Sequence, residues 1–131
     1  MALDRFGRDL GIAFQLVDDM LDFSAHQTAL GKNVGDDFRD GKITLPIVVA
    51  FARGDAEERG FWRRTLETGE QTPDDLDRAL GILERRGALA ETLARARAYA
   101  AAAIDTLDRF PDSPLRRALV EAAAFSTERG F

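Results

Sequence analysis

Phe14 to Phe23 reads FQLVDDMLDF, an apolar run broken by Asp18, Asp19 and Asp22. At 100° per residue, Gln15, Asp18, Asp19 and Asp22 fall within about 100° of arc on a helix. Phe14, Leu16, Val17, Met20, Leu21 and Phe23 cover the rest of the circumference. Upstream, Gly11 and Gly7 continue the acidic stripe, leaving a strip without bulky side chains. Each like-charge pair, Asp18 with Asp22 and Asp19 with Asp22, repels by roughly 0.2–0.5 kcal/mol when exposed. Burial without a counter-charge would raise their pKa values or cost several kcal/mol. A divalent cation removes that cost. Oxygen ligands without cysteine or paired histidine select Mg²⁺, or Mn²⁺, over zinc. The alternative is plain: three acids on one face also make an ordinary solvated face of an amphipathic helix.

Working outward, Leu3, Phe6, Leu10, Phe14, Val17 and Leu21 recur at spacings of three and four, so one helix is expected from residue 2 to about 27. "GKNVGDDFRDGK", 31 to 42, reads as a loop, with Lys32, Arg39 and Lys42 among three glycines. Lysine is a compact charge suited to phosphate oxygens, and glycine lets backbone approach an anion. "ITLPIVVAFARG" reads as a short apolar helix with Pro46 in its first turn.

A more polar helix is expected over 55–69, and another after Thr72 as N-cap with Pro73 at its first position. Gly87 precedes an alanine-rich helix to Phe110, and Ser113-Pro114 starts a last helix ending near Arg129. Arg85, Arg86, Arg95 and Arg97 read as solvated helix faces, and Trp62 and Tyr99 as packing residues. The expectation is an all-α chain of about six helices, one domain over 1–131. The first helix is apolar over most of its circumference and would need partners on nearly every side, as in the second part of a larger bundle.

Composition bounds the function. The 131 residues carry a net charge of −5, which favours neither nucleic acid nor an anionic membrane as a partner. No cysteine is present, so disulfides, thiolate nucleophiles and zinc–sulfur sites are excluded. No apolar stretch reaches the roughly 18 residues of a transmembrane span. The first residues lack the pattern of a signal peptide, and a cytoplasmic location is expected.

"GIAFQLVDDMLDF", "GKNVGDDFRDGKITLP" and "PDSPLRRALVEAAAFSTERGF" together closely resemble the C-terminal part of trans-type polyprenyl diphosphate synthases, nearest in flavour to octaprenyl and decaprenyl synthases. The resemblance implies an isoprenoid-synthase-type helical bundle, usually homodimeric, in which an allylic diphosphate held through Mg²⁺ is ionised and attacked by the double bond of isopentenyl diphosphate. It implies Asp18, Asp19 and Asp22 as metal ligands and Lys32 and Lys42 as diphosphate contacts that assist catalysis. Phe14 and Gln15 would line the cavity beside the substrate, and Asp37 would orient a lysine or the metal shell.

The family's first aspartate-rich motif, the arginines after it and its N-terminal glycine-lysine-arginine element have no counterpart in residues 1–131. The chain alone is therefore expected to have negligible synthase activity. Two other readings stay open: a non-catalytic subunit of a prenyl synthase, and a helical domain with solvated acids.

Overall fold

The computed structural model describes residues 2–24 and 34–128. Among them every regular element is helical. We label them α1 (Ala2–Leu21), α2 (Asp36–Arg39), α3 (Leu45–Arg53), α4 (Ala56–Trp62), α5 (Asp75–Arg85), α6 (Ala88–Thr106) and α7 (Pro114–Glu128). The all-α expectation holds. The extra helix, α2, is a single turn inside the segment read as a loop. No helix among the described residues is long and apolar enough to cross a membrane.

Local chemistry places most boundaries. Pro46 sits in the first turn of α3, where a missing N–H costs little. Asp55 caps α4 by accepting the Glu58 N–H at 2.9 Å. Gly87 takes φ +64 between α5 and α6, and Ser113 Oγ accepts the Arg116 N–H at 3.1 Å at the start of α7.

Three boundaries differ from the sequence expectation. First, α1 ends at Leu21, and the Phe23 and Ser24 N–H groups reach back three residues to Met20 and Leu21 at 3.1 and 2.9 Å. Such tightened bonds close a last turn, so Asp22 lies in the turn rather than in the helix. Second, the helix expected over 55–69 is α-helical only to Trp62 and continues as a π-helical turn, Arg63–Glu67. There Thr65 Oγ1 donates to the Phe61 carbonyl at 2.9 Å and Thr68 Oγ1 to the Arg64 carbonyl at 2.6 Å. Third, Thr72 does not cap α5. Its N–H donates to Asp75 Oδ2 at 2.7 Å, and α5 begins at Asp75.

The chain divides into two compact units. The first comprises Met1–Asp18 and Leu93–Phe131. Its core gathers Phe6, Ala103, Leu107 and Ala123, with Leu10, Ile104, Phe110, Leu119 and Val120 packed around them. Leu3 and Phe14 of α1 remain about half exposed, although the apolar pattern leads one to expect cover on every side.

The second unit, Asp19–Thr92, has an aromatic core. Phe38 of α2 stacks on Phe61 with ring centroids 6.3 Å apart and meets Trp62 edge-on at 6.2 Å. Phe23, Ile47, Ala50, Ile82 and Leu83 complete it. Trp62 is thus a packing residue, as expected. Its rim carries two charge networks. Buried Glu58 accepts from Arg86 Nε at 2.8 Å and from Arg85 at 3.0 Å, while Arg64 grips Asp75 through two bonds of 2.9 and 3.0 Å. Arg85 and Arg86 are therefore not plain solvated faces. Burying a carboxylate leaves it dependent on such partners, and their charge-assisted bonds hold Glu58 below the usual glutamate range.

Candidate functional site

The site grows from the end of α1. Where that helix stops, the Asp22 carbonyl accepts the Gly35 N–H at 2.7 Å and its carboxylate accepts the Asp37 N–H at 3.1 Å. Both bonds pull the returning chain onto the end of α1. Gly35 takes φ +83, a conformation that favours glycine, and a Cβ there would force the tip of the Leu76 side chain to shift. Phe38, buried at 1% exposure, plugs the one-turn helix α2 into the aromatic core. The Phe38 carbonyl accepts the Gly41 N–H at 3.0 Å and the Gln71 side-chain N–H at 2.9 Å. The Lys42 N–H then donates to the Asp37 carbonyl at 2.9 Å. This local winding fixes Lys42 against Asp37.

The consequence is a charge cluster within the second unit. Lys42 Nζ lies 3.9 Å from Asp19 Oδ1 and 3.9 Å from Asp37 Oδ2. Both distances exceed a hydrogen bond, so the ammonium is attracted to each carboxylate and fastened to neither. Asp19 is 7% exposed, and the Lys42 side chain is 53% exposed. An ammonium so exposed contributes little to stability through such pairs; its value lies in what else it can grip.

Asp22 is the stressed member of the cluster. Burial first, then the charge of Asp37, raise its pKa from the ordinary 3.8 to about 6. The bond from the Asp37 N–H and the charge of Arg39 offset only part of that, and Asp36 adds to it. A carboxylate in this condition fits a missing positive charge.

Of the residues expected from sequence, Asp19, Asp22, Asp37 and Lys42 are brought together. Asp18 is exposed on α1 and belongs to the other unit, with Phe14 and Gln15, also exposed. The acidic stripe is therefore not one environment: burial separates Asp19 from Asp18. Lys32 lies outside the described residues. Among the described residues no three acids or histidines converge as a ready cation cage. The donor set still fits Mg²⁺, because that ion usually takes one or two carboxylates and fills its octahedron with waters and phosphate oxygens. Sequence reading left one neighbour without a role. Thr44, the N-cap of α3, makes no side-chain capping bond, and its buried hydroxyl has no partner among the described residues.

Comparison with known proteins identifies the family of the chain. The family model for polyprenyl synthetase matches residues 1–83. The octaprenyl diphosphate synthase of Haemophilus influenzae is 41% identical over 130 residues, 99% of this chain and 39% of that protein. A polyprenyl synthase from Caulobacter crescentus CB15, solved with calcium and isoprenyl diphosphate, superposes with a TM-score of 0.91 at 45% identity, covering 99% of this chain and 40% of that one. A geranylgeranyl pyrophosphate synthase from Corynebacterium glutamicum, solved with isoprenyl diphosphate and magnesium, gives 0.80 at 31% identity, covering 98% and 37%. The chain thus spans about two fifths of the length of the curated relatives it matches. Residues 1–131 belong to the polyprenyl synthetase family and carry the all-α fold of its C-terminal part.

Proposed function

We propose that this chain is the diphosphate-holding part of a trans-type polyprenyl diphosphate synthase, acting in the cytoplasm. The observation that carries the reading is the Lys42 ammonium, drawn between Asp19 and Asp37 at 3.9 Å from each and hydrogen-bonded to neither. An ammonium held this way is positioned yet available, which is what recognition of a phosphate oxygen asks of lysine.

Asp19 and Asp22, with Asp18 by the family's pattern, hold Mg²⁺, for which Mn²⁺ can substitute. When bound, Mg²⁺ neutralises the diphosphate as a leaving group. Lys42 and Lys32 grip the diphosphate of the allylic substrate and stabilise the charge it gains as the carbon–oxygen bond breaks. Asp37 anchors the Lys42 backbone through its carbonyl and draws the ammonium with its carboxylate. By the family's pattern Phe14 and Gln15 line the cavity beside the allylic substrate, where water must be kept from the cation before isopentenyl diphosphate attacks. The remaining machinery belongs to the three fifths of the relatives' length outside this chain, so residues 1–131 alone have negligible turnover.

The test is thermal melting with Mg²⁺ and inorganic pyrophosphate. Ligand binding to the folded state raises the melting temperature by mass action, and Lys42→Ala should reduce that rise. A melting temperature indifferent to both additions would overturn the reading and favour a helical domain with solvated acids. Ordinary prenyl transfer by the purified chain would refute its predicted inactivity, and recovery with a second prenyl-synthase chain would favour a subunit.

A further inference from the structure

Thr44 stands at the start of α3 in the position where a threonine ordinarily caps a helix. Its backbone does so: the carbonyl accepts the Val48 N–H at 3.1 Å. Its side chain does not, because no capping bond forms. The residue is 4% exposed, and among the described residues its Oγ1 has no hydrogen-bond partner. Leaving a buried hydroxyl unpaired is unfavourable, so such a group in a folded protein calls for an explanation.

Lys42, Ile43 and Thr44 lie between the turn after α2 and the start of α3, and Thr44 itself is extended at φ −113, ψ 170. In extended chain, side chains two apart share a side and lie about 7 Å from each other, while the residue between them faces the other way. Ile43 is 65% exposed and turns outward. Thr44, by contrast, is buried, and it stands two residues from Lys42, whose ammonium approaches Asp19 and Asp37. The first turn of α3 adds its own polarity there. Pro46 has no N–H to offer, but the turn keeps the positive end of the helix dipole.

We infer that Thr44 is a further diphosphate-contacting residue: its buried hydroxyl is reserved for a phosphate oxygen of the group that Lys42 grips. The inference rests on the function proposed above for Lys42 and adds a neutral donor to its charge. The Lys42 side chain is the flexible element, since neither 3.9 Å pair fastens it. As it swings onto a diphosphate, the anion is drawn toward the start of α3, and the hydroxyl exchanges an unmade bond for one to a charged acceptor. Such bonds are about twice as strong as neutral ones.

Isothermal titration of the 131-residue chain with inorganic pyrophosphate in MgCl₂ tests this, using Thr44→Val, Thr44→Ser and Lys42→Ala. Valine keeps the shape and removes the hydroxyl. The expected result is a 5- to 10-fold loss of affinity in Thr44→Val, affinity within about two-fold of wild type in Thr44→Ser, and a valine melting temperature equal to or above wild type. Removing an unsatisfied buried group should not destabilise the fold. Thr44→Val binding as tightly as wild type, with Lys42→Ala weakened, would overturn this inference and leave the proposed function standing. A valine variant that melts lower and is restored by serine in both readouts would make the hydroxyl structural and overturn it too. No pyrophosphate binding by wild type would overturn both.

Discussion

The Asp22 carboxylate accepts the backbone N–H of Asp37 at 3.1 Å, fifteen residues along the chain. That bond joins the end of the acidic helix to the turn that delivers Lys42. It also brings the Asp37 carboxylate close enough to oppose ionisation of Asp22. Geometry and charge therefore conflict at this point: the contact that assembles the cluster makes one of its acids hard to ionise.

Asp22→Asn should relieve the conflict. The folded carboxyl titrates near 6 against an ordinary 3.8. Between those values the folded chain binds more protons than the unfolded chain, so stability falls as pH rises through that window. Asparagine keeps an oxygen acceptor for the Asp37 N–H and removes the charge. Without added metal, its melting temperature at pH 7 should equal or exceed wild type, and the decline between pH 4 and 6 should flatten. Melting curves across pH 4–7.5 check this; a variant less stable at pH 7 would contradict it.

Asp37→Asn removes one of the two carboxylates that draw Lys42 and keeps the backbone bonds. Pyrophosphate affinity in MgCl₂ should fall by about 3- to 5-fold, a coupling of roughly 1 kcal/mol. Asp36→Asn is the control. Asp36 is exposed and pairs with Arg39 at 3.0 Å, so calorimetry should find its affinity near wild type.

The second unit's rim answers to acid in the opposite sense. Asp75 is held near 2, first by its hydrogen bonds from Arg64 and then by the Thr72 N–H. A depressed folded value gives stability that is present above 3.8 and lost as pH falls toward 2. Asp75→Asn should cost about 2 kcal/mol in urea unfolding at pH 7. The gap from wild type should shrink below pH 3.

Gly35→Ala should be the costliest small change near the site. It asks alanine to hold φ +83 and to occupy the space of the Leu76 side chain. The conformational part alone is worth about 1–2 kcal/mol. Pairing it with Leu76→Ala removes the clash and leaves the backbone penalty, so urea titration of the double variant should recover only part of the coupling expected for neighbours in contact.

The sequence by itself determined the helices, most of their ends and the family. Pro46, Gly87 and Ser113-Pro114 act within a few residues of where they stand, and all three match the structure, whereas periodicity placed α1 but not its end at Leu21. It also named Asp19, Asp22, Asp37 and Lys42, the first two from their spacing, Lys42 from the glycine-lysine loop and Asp37 through resemblance alone. Tertiary structure alone decided that Asp19 is buried while Asp18 is exposed, that Asp22 leaves the helix to bracket Gly35 and Asp37, and that Arg85 and Arg86 serve buried Glu58. Those outcomes depend on contacts between residues 13 to 28 positions apart. Helical register places a side chain on a face, but the chain that folds back decides whether water or a carboxylate meets it there.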